Sequence, residues 1–194
     1  MGTKLADFTT GSWANFENPN FKLISVNTAR YDTTKHLATP VISDAKVGLL
    51  QLSEALGDWR APDTWYQRAV KERDEWEAYV AKQSGPTNQE EPSYAHAVGA
   101  IYRNSDPSDI VVTAAGGLVG EVVQVWKPKE LNTFETEWGF SCMGYEISGA
   151  LGIKMAKPDQ DVVVFVGDGS YLLNNSDIYL SLIHISEPTR PLGI

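Results

Sequence analysis

A chain of 194 residues, 42% hydrophobic and 21% charged, has the composition of a globular protein and room for one domain, or for one domain and part of another. Sixteen Lys and Arg against 25 Asp and Glu leave a net charge of −9, which argues against a chain built to track a nucleic-acid backbone. One cysteine excludes an internal disulfide, and no apolar run reaches the roughly 20 residues that cross a bilayer. The start, Met1-Gly2-Thr3-Lys4, has no signal-peptide pattern, so a soluble, cytoplasmic protein is expected, with no nucleic-acid or membrane partner.

The chain opens at Met1 to Gly11 without a helix or hairpin pattern, as though a strand were ending there. Phe21 to Asn27 alternates apolar and polar residues and reads as a strand. Ser43 or Asp44 can cap a helix that carries Val47, Leu50 and Leu52 and ends near Leu56-Gly57. Pro62 to Lys82 reads as a second helix, with Trp65, Ala69, Trp76, Tyr79 and Val80 as an apolar stripe suited to a core or an interface. Residues 84–92 have linker composition, and a domain boundary is expected there.

A βα alternation follows. Ser93 to Arg103 is an expected helix, and Asp109 to Thr113 a buried strand that runs into Ala114-Ala115-Gly116-Gly117. Leu118 to Trp126 reads as a short helix, and Met143 to Ala156 as a Gly/Ala-rich helix with little polar face, hence buried. Val162 to Val166 is an uninterrupted β-branched and aromatic run, the pattern of a parallel strand covered on both faces. It ends in Gly167-Asp168-Gly169-Ser170, and a further helix is expected from about Leu172. Alternating strands and helices predict an open parallel α/β sheet.

Ligands of such sheets sit beyond the carboxyl ends of the strands. Two strands here end in glycine loops, whose backbones can approach a ligand closely. A phosphate suits the N–H groups that open the next helix, but Asp168 would repel it unless a cation lay between. Mg²⁺ accepts carboxylate and phosphate oxygens together. The loop therefore suggests a metal-bridged diphosphate. Neither a P-loop pattern nor the dinucleotide glycine spacing is present.

The ordered set Phe140-Ser141-Cys142-Met143-Gly144-Tyr145-Glu146-Ile147-Ser148-Gly149-Ala150-Leu151-Gly152, Ala156-Lys157-Pro158-Asp159 and Val166-Gly167-Asp168-Gly169-Ser170 resembles the pyrophosphate-binding domain of thiamine-diphosphate enzymes. The resemblance covers about Ser93 to Tyr179, and residues 1–56 with the linker look like the second half of that family's central domain. It implies the end of a Rossmann-like central domain in residues 1–57, a helix and linker in 58–92, and a truncated, doubly wound parallel-sheet domain in 93–179. Ser181 to Arg190 resembles a translated sequencing adapter, so 180–194 are set aside as read-through. Leu5 to Trp13, Glu137 to Ile147 and Gly167 to Leu172 are similar to the members that open a cyclic polyol dione by hydrolytic C–C cleavage in inositol catabolism. An acetolactate-synthase-like carboligase and a non-catalytic α/β binding module remain alternatives.

The resemblance further implies thiamine diphosphate and Mg²⁺ as cofactors. Asp168 would ligate the metal. Gly167, Gly169, Ser170, Gly116, Gly117 and Ser141 would line the cofactor, and Met143 would support its bent form. The family's second metal ligand, an asparagine, would fall near the chain end. Asn174 and Asn175 come too early and are expected in the first turn of the last helix. The glutamate that activates the pyrimidine ring belongs to another domain, usually of a partner subunit, so a homodimer or homotetramer is implied and this chain alone is expected to be inactive. Glu137 and Glu146 could bond a polyol substrate or merely cap a helix. His36 and His96 are expected to be structural, and Cys142 a small buried residue.

Overall fold

A computed structural model describes residues 1–184. Two compact units divide at Tyr66–Gln67, inside a helix rather than in the 84–92 segment. The position expected for a second metal ligand falls near the chain end, where the sequence has no asparagine after Asn175, and most of the adapter-like tail lies outside the described residues.

In the first unit, a four-residue helix α1 (Asp7–Thr10) occupies the stretch expected to lack one. The buried Thr10 hydroxyl bonds back to the Ala6 carbonyl at 2.9 Å, and Gly11, at φ 56°, closes the turn. Strand β1 (Ile24–Asn27) is shorter than expected and pairs in parallel with β2 (Thr39–Ile42). Thr39-Pro40-Val41-Ile42 shows no alternation that would announce β2, and Pro40 lacks a backbone donor, which weakens a strand pattern further. Helix α2 (Arg30–Thr34) connects them. Helix α3 (Ala45–Leu56) starts as expected: the Asp44 carboxylate accepts from the N–H of Lys46 at 2.9 Å and of Val47 at 3.2 Å. Its expected stripe of Val47, Leu50 and Leu52 is exposed. The residue against the sheet is Gly48, where a Cβ would stand 2.9 Å from Val26 Cγ1, so the backbone itself makes the contact. His36 packs against Trp13 with the rings tilted by 57° and 4.2 Å between centroids, a packing role.

Helix α4 (Asp63–Ser84) carries the chain into the second unit. Only Val80 of its stripe is buried; Trp65, Trp76 and Tyr79 are at least half exposed. Helix α5 (Tyr94–Asn104) is capped by a reciprocal pair in which Ser93 Oγ accepts from the His96 N–H and His96 Nδ1 accepts from the Ser93 N–H. His96 is thereby structural.

Then come β3 (Ile110–Thr113), α6 (Gly117–Val125), β4 (Phe134–Thr136), α7 (Tyr145–Ala156), β5 (Val162–Val164), α8 (Asp168–Asn174) and α9 (Ser176–His184). The strands form a parallel sheet in the order β4-β3-β5. β3 is buried throughout, and its side chains alternate between two cores. Val111 packs with Val98 of α5, Val122 and Val125 of α6, and Trp126. Ile110 and Val112 pack with Ala150 of α7. Helices thus cover both faces, which makes this unit an α/β fold, as expected.

Four differences bear on the site. β4 is only three residues long and was not foreseen. β5 lies at the sheet edge among the described residues, and Val164 is exposed, so it is not covered on both faces. For the same reason α7 is buried on one face only, with Ser148, Gly152 and Met155 open to solvent. The helix after β5 starts at once at Asp168, which puts Asn174 at its end and not in a first turn.

Candidate functional site

All three strands are parallel, so their carboxyl ends open on one side. β3 delivers Ala114-Ala115-Gly116-Gly117. Gly116, at φ 88°, is a conformation that glycine tolerates, and it starts α6 without a side-chain cap. A Cβ on Gly116, Gly117 or Gly167 would meet nothing within 4 Å, so these loops leave open space above them. β5 delivers Gly167-Asp168-Gly169-Ser170, with Gly167 as the cap of α8. Asp168 is exposed; its Oδ1 accepts from the Gly169 N–H at 2.9 Å. Ser170 is buried in the first turn.

The segment before α7 completes the rim. Glu137 accepts from the backbone N–H groups of Phe140 at 2.9 Å and Cys142 at 2.8 Å, and these bonds, that of Cys142 foremost, hold its carboxyl below the usual range. Ser141 sits between them, exposed and at φ 53°. Cys142 is exposed, contrary to expectation, because the loop stands on Glu137 and not on the core. Partial desolvation and the Glu137 carboxylate push its thiol up. Met143 is half exposed and its Cε lies against Gly169. Asn174 donates to the Gly144 carbonyl at 3.2 Å, tying the end of α8 to the head of α7.

Glu146 is the residue whose place the sequence did not reveal. It is fully buried, with Oε1 accepting from the Ala115 N–H at 3.2 Å and Oε2 from the Gly144 N–H at 3.0 Å. Burial keeps it from reaching a substrate. The available signal was a single carboxylate in the first turn of an otherwise Gly/Ala-rich helix.

The structure therefore brings Met143 beside Gly169, and links Ala115, next to Gly116, to Gly144. Two further groups occur at the strand ends. Thr113 and Thr136 are register partners, and their buried hydroxyls have no hydrogen-bond partner among the described residues. Open glycine loops and a solvent-facing carboxylate at a helix start make a cradle for an oxygen-rich ligand. Among the described residues no cluster of three or more His, Cys, Asp or Glu could hold a metal ion. Asp168 alone suits Mg²⁺ only in the mode in which phosphate oxygens and water complete the shell. A cavity of about 890 Å³ lies elsewhere: an open, mainly apolar groove along β5, lined by residues such as Ile101, Ala150 and Val162 and by neither Asp168 nor Met143. No helix among the described residues is long and apolar enough to cross a membrane.

Residues 114–182 match the family model described as thiamine pyrophosphate enzyme, C-terminal TPP binding domain. Over that stretch the chain is similar to the cofactor domain of thiamine pyrophosphate enzymes. The curated relatives it matches include proteins named 3D-(3,5/4)-trihydroxycyclohexane-1,2-dione hydrolase. That of Geobacillus thermodenitrificans is 32% identical over 94% of this chain, that of Lacticaseibacillus casei 34% over 93%, and that of Listeria innocua 37% over 94%. The chain spans 32% of the length of each, about a third.

Proposed function

We propose that this chain is the part of a thiamine-diphosphate enzyme that holds the cofactor's diphosphate, and that the whole enzyme hydrolyses a C–C bond of 3D-(3,5/4)-trihydroxycyclohexane-1,2-dione, giving 5-deoxy-glucuronate. The observation that carries the reading is the convergence of Met143 and Gly169 beside an exposed Asp168 at the start of α8. The relatives' shared name supports the substrate.

In this reading Asp168 would hold Mg²⁺, and Gly116, Gly117, Ser141, Gly167, Gly169 and Ser170 would line the diphosphate. Met143 is the apolar support for the cofactor's rings. When bound, thiamine diphosphate supplies the electron sink for C–C cleavage. The chain's own residues bind and orient: Glu137 holds the 140–142 loop, and Asn174 anchors the head of α7. The pyrimidine-activating glutamate comes from another part of the enzyme, within a homodimer or homotetramer in the cytoplasm. Residues 1–57 serve as the end of a central domain, 58–92 as helix and linker, and 93–179 as the cofactor domain.

The test is to assay the full-length protein on the cyclic dione and on 2-keto acids, with thiamine diphosphate and Mg²⁺. Ring opening of the dione is expected. Turnover of 2-keto acids alone would leave an acetolactate-synthase-like carboligase, and failure to bind the cofactor a non-catalytic module.

A further inference from the structure

A glutamate withdrawn wholly from water is costly unless donors satisfy it. No ion pair of Glu146 occurs among the described residues, and its two oxygens instead take one backbone N–H each, from Ala115 and from Gly144. Those donors lie in different loops. Ala115 precedes the Gly116-Gly117 turn, and Gly144 follows Met143. Glu146 also stands in the first turn of α7, where the helix dipole favours an anion. A carboxylate offers two acceptor oxygens to two donors. An amide of the same shape offers one, and sets its NH₂ against the other N–H.

We infer that Glu146 is a positioning residue for the cofactor site: it fixes the glycine loop after β3 against the Met143–Gly144 turn, so that the diphosphate and the ring system meet one preformed surface. It does not touch the cofactor, being buried. The inference rests on the thiamine-diphosphate reading above for its purpose, and on the two hydrogen bonds for its mechanics.

The experiment uses the full-length protein with Glu146→Gln and Glu146→Ala. Amide hydrogen exchange without cofactor reads the mechanics, and calorimetric titration with thiamine diphosphate and Mg²⁺ reads the purpose. In Glu146→Gln, exchange is expected to speed up at Ala115 and Gly144 while β3 stays protected. The Kd for the cofactor is expected to rise about tenfold, the scale of a lost hydrogen bond to a charged group, and further in Glu146→Ala. The KM for substrate and kcat at saturating cofactor should move little. Unchanged exchange at the two amides, loss of protection across the whole unit, or an unchanged Kd would each overturn the inference. If the unaltered protein does not bind thiamine diphosphate, the functional reading fails, and exchange at the two amides still decides whether Glu146 locks the loops. Should Glu146→Ala not fold, the isosteric Gln variant carries the test.

Discussion

Met143 and Gly169 stand so close that a Cβ built on Gly169 would lie 2.8 Å from Met143 Cε. One residue precedes α7 and the other opens α8, so this contact closes the rim of the cradle. Because the near atom is the free end of a flexible side chain, the fold can absorb an added methyl by moving Met143. Gly169→Ala should therefore leave the melting temperature unchanged or raised, since Ala exceeds Gly in a helix by about 1 kcal/mol. Thiamine diphosphate affinity should fall. Combining Gly169→Ala with Met143→Ala should cost less than the sum of the two, and strict additivity of the binding energies would show that the contact is idle.

Asp168 gives a metal-specific expectation. In Asp168→Ala, thiamine diphosphate titrations with and without Mg²⁺ should superimpose. A Mg²⁺ dependence equal to that of the unaltered protein would take Asp168 out of the metal's shell.

The loop on Glu137 gives an acid-side expectation. A carboxyl held below its usual range adds stability above its unfolded pKa and loses it as pH falls through the lower folded value. The 137–142 loop should hence loosen only in acid. Cys142, the chain's one cysteine, reports it: partial desolvation and Glu137 raise its thiol, so alkylation near pH 8 should be slower than for a free thiol. Glu137→Gln should accelerate it. Equal rates in the two proteins would show that the carboxylate does not govern the loop.

Gly99 tests the packing of α5 against the end of α4. A Cβ there would collide with the carbonyl of Ser84, the same oxygen that accepts from Arg103 Nη1 at 2.6 Å. Backbone cannot swing away as Met143 can. Gly99→Ala should destabilise by about 1–3 kcal/mol, visible as a lower denaturation midpoint. An unaltered midpoint would mean that α4 and α5 are not so closely apposed.

Much of the second unit was legible because its signals are local. The Ile110–Thr113 run, the helix from Ser93 to Arg103 and the glycines after β3 and β5 each announce themselves within a few residues. What stayed hidden depends on distance along the chain. Glu146 takes its meaning from Ala115, and Asn174 from Gly144. Short β4 has too few residues to show a period, and Pro40 masks β2. The exposed Trp65 and Trp76 mark the opposite failure: their spacing is that of a buried stripe, but burial depends on what packs there. Asp168 was singled out by charge logic and Met143 by resemblance; that the latter leans on Gly169 was visible only in three dimensions.

The edge position of β5 has a practical consequence. Val162–Val164 is β-branched, lacks a charge, and pairs with no strand on its outer side among the described residues. Such an unguarded border is a template for any extended polypeptide, including another copy of itself. Produced by itself, this polypeptide should stick to its own kind along that seam, and a lysine in place of Val164 should keep it dispersed.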